Sequence, residues 1–152
     1  MKQQLAGLLA LAMTLGASAM TFGAYAQDFV TRDSISKGRY TLIFVNRDQG
    51  FSQETKKEMI DAFFTVYPRE AKRFNKHTLR TVTFLIDPGY KGVAETDNGR
   101  ARYNPEWLRK NPEDIDVVTH EVMHIVQDYR HANPGWLTEG IADYVRYVSW
   151  RQ

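Results

Sequence analysis

Two stretches of the 152-residue chain carry side chains suited to holding a metal ion. His120-Glu121-Val122-Met123-His124 reads H-E-x-x-H. Glu139-Gly140-Ile141-Ala142-Asp143 follows, its glutamate fifteen positions after the second histidine. Residues four apart share a helix face, so His120 and His124 can point two imidazoles at one ion. Glu121 lies about 100° round the same helix, within reach of a water on that ion. Two histidines leave a tetrahedral site short of a protein ligand. Glu139 supplies it and the fourth position stays open, the pattern of a catalytic zinc.

H-E-x-x-H alone is a loose pattern that also occurs on solvated helices. Three features strengthen it. Val117, Val118, Val122, Ile125 and Val126 bracket the histidines, which predicts a buried helix. Trp136-Leu137-Thr138-Glu139-Gly140-Ile141-Ala142-Asp143-Tyr144 sets Glu139 among apolar residues, where an unpaired carboxylate would be costly. Asp143 shares a helix face with Glu139 and can accept the second ring N–H of a ligating histidine.

The elements that must position these groups are legible in outline. Asp28 to Arg39 is polar and reads as a loose lead-in. Tyr40 to Asn46 and Thr81 to Ile86 are rich in β-branched and aromatic residues and read as strands. Between them, Ser52 is placed to cap a helix carrying Met59, Ile60, Phe63, Phe64 and Tyr67 on one face, with Pro68 expected to kink or break it. Gly92 to Thr96 and Arg100 to Tyr103 flank Asp97-Asn98-Gly99, a hairpin signal; an edge strand of this kind can receive a peptide as a further strand. Pro105 to Lys110 suits a short helix. Asn111-Pro112-Glu113-Asp114 reads as the start of the H-E-x-x-H helix, running to about Tyr129. On it, Ile115, Val118, Val122, Ile125 and Tyr129 mark a core face, and Val117, His120, Glu121 and His124 a cleft face. The last helix begins between Pro134 and Glu139.

The first 26 residues read as a signal peptide: Lys2, an apolar run from Leu5 to Leu15 too short to span a bilayer comfortably, and the small-x-small site Ala24-Tyr25-Ala26. The expected mature chain, 27–152, is one domain, secreted or periplasmic, with no stable membrane association after cleavage. Leaving out Lys2, it has 19 Lys/Arg against 18 Asp/Glu. No basic block points to nucleic acid. There is no cysteine, so no disulfide holds the fold.

Asp114 to Gln127, followed by Pro134 to Arg146, resembles the basic secretory protein family, zinc peptidases of plants and bacteria. The Gly92-Val93-Ala94 strand and Asn111-Pro112-Glu113-Asp114 are similar to it too, and the likeness covers roughly Tyr40 to Arg146. It implies an α+β, gluzincin-like (zincin) metallopeptidase domain, a small twisted sheet packed on helices. It also implies zinc on His120, His124 and Glu139, Glu121 as catalytic residue and Asp143 as support. Two departures stand out. The mature chain is nearly neutral, and the sequence stops at Gln152 where family members continue with further helices, which leaves a C-terminal truncation open. Related enzymes place a Tyr or His in that region to stabilise the oxyanion; here Tyr103, Tyr144 and Tyr147 are the candidates.

The expected reaction is hydrolysis of a peptide bond in a peptide or protein substrate, with Zn2+ as cofactor and Glu121 as general base. Two alternatives stand beside it. Trp136-Leu137-Thr138-Glu139-Gly140 also resembles zinc aminopeptidases, in which Glu95 would grip the substrate's amino group. A secreted binding protein using zinc only for structure is the other. His77 and His131 read as surface residues.

Overall fold

The computed structural model describes residues 31–129 and 134–149. The expected signal peptide and His131 lie outside them. Among the described residues the fold is α+β, one five-stranded mixed sheet with four helices. The strands are β1 (Thr31–Lys37), β2 (Tyr40–Asn46), β3 (Thr81–Ile86), β4 (Ala94–Asp97) and β5 (Arg100–Tyr103), in the order β1-β2-β3-β5-β4. The three central strands β2, β3 and β5 are parallel to one another, and the edge strands β1 and β4 are antiparallel to their neighbours. The helices are α1 (Gln53–Phe74), α2 (Pro105–Lys110), α3 (Val117–Gln127) and α4 (Gly135–Ser149).

Leu42, Phe44, Val82, Phe84, Ile86, Ala101 and Tyr103 form the buried side of the sheet, alternating along β2, β3 and β5 as the pleat requires. Phe84 is the hub: its ring lies 5.5 Å from Phe63 of α1 and 5.1 Å from Tyr103, both edge-on. Edge-to-face pairs suit the ring quadrupoles.

Three expectations are corrected here. Residues 31–37 are not a loose lead-in but β1. Their pairing with β2 is through the backbone, with Lys37 opposite Tyr40 across the Gly38-Arg39 turn. Only Ile35 packs against the core, so the side chains carry almost no strand signal. Pro68 does not break α1, which continues to Phe74. Proline removes one hydrogen bond, but Tyr67 and Ala71, fully buried on either side of it, hold the helix to the core. Ser52 does cap α1, accepting from the Thr55 N–H at 3.3 Å. Finally, Asn111-Pro112 does not start α3. Asn111 donates its side chain to the Trp107 carbonyl, and a 3-10 turn, Asp114–Asp116, leads into α3 at Val117.

The β4–β5 hairpin turns at Asn98 and Gly99, both with positive φ (45° and 74°), the two-residue turn that matches strand twist. A Cβ on Gly99 would meet only the end of the exposed Leu79 side chain, which can turn aside, so it is the positive φ that calls for glycine here.

Candidate metal centre and cleft

α3 carries His120, Glu121 and His124, and its position is set by side chains at its far end. The carbonyls of Ile125 and Val126, which lack helical partners, accept from Thr78 Oγ1 (3.2 Å) and Asn75 Nδ2 (3.0 Å). Asp128 ends the helix in the left-handed region (φ 42°) and its N–H returns to the His124 carbonyl. α4 lies against α3 and is fastened to it twice. Near its start, Gln127 donates to the Thr138 carbonyl at 2.9 Å. Farther along, the Arg146 guanidinium bridges Asp114 and Asp116, just ahead of α3.

These constraints bring three expected ligand atoms together. His120 Nε2 lies 3.0 Å from His124 Nε2, and Glu139 Oε2 is 3.2 Å and 3.4 Å from the two nitrogens. A tetrahedral zinc with bonds of about 2.0–2.1 Å separates its ligands by roughly 3.3–3.4 Å. The triangle therefore fits such an ion with little adjustment. His120, His124 and Glu139 are also the one His/Cys/Asp/Glu group among the described residues placed to hold a metal ion.

Hydrogen bonding on the far side of each ring sharpens the fit. Asp143 Oδ1 lies 2.9 Å from His120 Nδ1. A carboxylate only accepts, so that nitrogen carries the proton. Gln127 does the same for His124. Its amide nitrogen must face the Thr138 carbonyl, which cannot donate, so its Oε1 faces His124 Nδ1 at 2.9 Å and accepts from it. In neutral rings both Nε2 atoms are then bare lone pairs, pointed at each other and at a carboxylate oxygen. Three acceptors without a donor are what a cation satisfies.

Gln127 was missed as a site residue from sequence, since a glutamine three residues after a histidine has many innocent readings. With zinc in this triangle, Gln127→Ala should lower the affinity roughly ten- to hundredfold with the fold intact, as zinc titration against a competing chelator would measure. Unchanged affinity would refute this role.

Glu121 is buried, 5 % exposed. Its Oε2 accepts from Thr96 Oγ1 at 2.7 Å. Burial pushes its carboxyl above the ordinary value, while the Thr96 hydrogen bond and the two histidines pull it down. Behind it, Tyr103 is fully buried and its hydroxyl has no partner among the described residues.

Several expected placements change. Glu139 does not sit in an apolar setting: its side chain is 58 % exposed and Trp136 is largely in solvent, because α4 turns Ala142 and Val145 to the core instead. Val117 belongs to the core and not to the cleft. Tyr129 belongs to the cleft and not to the core, since the turn at Asp128 swings it out beside His124 and Glu139. Tyr103 is too deep to touch a substrate. Tyr144 lines a separate groove with Phe74 and Met123, and Tyr147 is two helical turns past Glu139, about 12 Å along the axis. Tyr129 is the phenol that borders the metal site.

Glu95 is also corrected. Strand alternation turns Ala94 and Thr96 toward α3 and sends Glu95 to the opposite face of β4, across from Arg102. Its carboxylate pairs with the Arg102 guanidinium, which also bridges to Asp87 and stacks on Tyr90. Glu95 borders the cleft but its charge is directed elsewhere. His77 is exposed, as expected, on a depression shared with Thr96, His124 and Tyr129.

The cleft itself encloses about 420 Å³ between β4, α3 and the start of α4. The hairpin expected to form its rim does so: β4 is the sheet edge beside the candidate metal site, and among the described residues it pairs only with β5. Among the described residues no helix is long and apolar enough to cross a membrane. Residues 26–151 match the sequence model of a family described as a peptidase of plants and bacteria. No curated protein matches the chain.

Proposed function

This chain belongs to the BSP family, peptidases of plants and bacteria, the family its two motifs resemble, and from that membership we propose that it is a zinc-dependent endopeptidase acting outside the cytoplasm. The observation that carries the zinc reading is the triangle of His120 Nε2, His124 Nε2 and Glu139 Oε2, with both Nδ1 protons held away from it.

In this reading His120, His124 and Glu139 hold the ion, and Asp143 and Gln127 fix the ring orientations. A bound zinc supplies a Lewis acid that lowers the pKa of water from about 15.7 towards 7 and polarises the scissile carbonyl. Glu121 takes the proton from the attacking water and passes it to the amine nitrogen as the C–N bond breaks. Its buried position limits access of bulk water to that proton. The edge of β4, unpaired among the described residues, offers N–H and C=O groups to an extended peptide backbone laid along the cleft. A peptide bound this way is recognised through its main chain, and no terminal amine is required. The pairing of Glu95 with Arg102 engages the carboxylate that would have to grip a terminal amine, and so disfavours the aminopeptidase reading.

The test is cleavage of an unfolded, N-terminally acetylated protein by the chain from Gln27 to Gln152. Cleavage is expected, with loss on chelation and recovery on adding zinc. Chelator-insensitive cleavage would overturn the zinc reading. Activity confined to substrates with a free N-terminus would restore the aminopeptidase.

A further inference from the structure

We infer that Thr96 is a positioning residue for the reaction: its hydroxyl fixes the carboxylate of Glu121 and ties the general base to the strand that receives the substrate. The inference rests on the function proposed above.

The β4 strand has four residues, and its alternation leaves Ala94 and Thr96 facing α3. Of these only Thr96 has a side chain that can hydrogen-bond. Its Oγ1 lies 2.7 Å from Glu121 Oε2 and 3.1 Å from the Glu121 main-chain carbonyl. Both are acceptors, so the hydroxyl proton is directed into the space between them and the carboxylate is held against its own helix. A glutamate side chain otherwise has three rotatable bonds, and a general base must meet its water within hydrogen-bond reach. One carboxylate oxygen taken by Thr96 leaves the other for the attacking water. Thr96 also belongs to the strand along which the peptide lies, so backbone register and base position are set by one residue. Its cross-strand neighbour is Ala101, fully buried, which keeps this stretch of β4 seated.

Thr96→Val keeps the shape and the β-branching and removes the hydroxyl; Thr96→Ser keeps the hydroxyl. The valine variant should lose roughly ten- to hundredfold in kcat, the range for a hydrogen bond to a charged group. KM should stay within about twofold and zinc content should match the parent. The serine variant should recover most of the rate. Diffraction from the metal-free variants gives a second readout: Glu121 should keep its rotamer in Thr96→Ser and leave it in Thr96→Val. A valine variant with parental kcat, or a serine variant as slow as valine, would overturn the role of Thr96. Absence of zinc-dependent cleavage by the parent protein would instead overturn the function on which it rests.

Discussion

Glu121→Gln should bind zinc as the parent does and cleave an unfolded protein about 10²- to 10⁴-fold more slowly, the usual contribution of a general base. Glutamine matches glutamate in volume and still offers an oxygen to the Thr96 hydroxyl, so packing around this 5 % exposed side chain is preserved. The ligand triangle does not include Glu121. Loss of proton transfer is then separated from loss of metal. Parallel zinc titration and steady-state kinetics make the comparison. A glutamine variant that cleaves at the parental rate would remove Glu121 from the mechanism, and one that fails to bind zinc would assign it to the ligand shell.

The largest stability effect is expected far from the cleft, at Glu70. Its carboxyl is 3 % exposed, and neither oxygen has a hydrogen-bond partner among the described residues. Burial raises its pKa from 4.5 to about 8. The sign follows from proton linkage. Below about pH 4.5 the group is protonated whether folded or unfolded, and it costs nothing electrostatically. Between about 4.5 and 8 the unfolded chain loses the proton while the folded one keeps it, so stability falls as pH rises. Above about 8 the full penalty is present, on the order of a few kcal/mol and at most about 5. Domains of this size have only about 5–15 kcal/mol to spare. Glu70→Met should therefore gain several kcal/mol more at pH 8 than at pH 4.5, read from urea unfolding at both. The parent-minus-variant difference isolates Glu70 from the histidines, which both proteins share. If that difference does not change with pH, the buried carboxyl is not the source.

Glu70 also illustrates what the sequence conceals. The apolar face of α1 is legible in the sequence as far as Tyr67, where Pro68 reads as a kink or a break. The structure carries the same face through Glu70 and Ala71. Local propensity at one proline was overruled by contacts made by residues on both sides of it. The two strands β2 and β3 were legible because their β-branched and aromatic residues are themselves the core. β1 was not, because its bond to the sheet is made by peptide groups that every residue has. At the candidate site, the shared face of His120 and His124, and that of Glu139 and Asp143, followed from helical spacing, which is a local property; the meeting of the two pairs, on separate helices, did not. Thr96 and Gln127 meet their partners across 25 and 11 residues, so only the folded chain brings Thr96 to Glu121 and Gln127 to Thr138. Strand alternation is the one signal that could have picked Thr96 over Glu95. The motif likeness to aminopeptidases points to Glu95, whose carboxylate pairs with Arg102.

The double fastening of α4 bears on the entropy of chelation. Glu139 joins His120 and His124 from fifteen positions beyond the second histidine. Drawing the ends of a flexible loop of that length together costs about 2 kcal/mol by ideal-chain scaling. In a chain without braces, ion capture would bear that cost, and affinity would fall accordingly. Here Gln127 at one end of α4 and Arg146 at the other close the loop as the protein folds. An ion in that triangle would find its three ligand atoms already spaced to the width of its own bonds, with α4 joined to α3 beforehand.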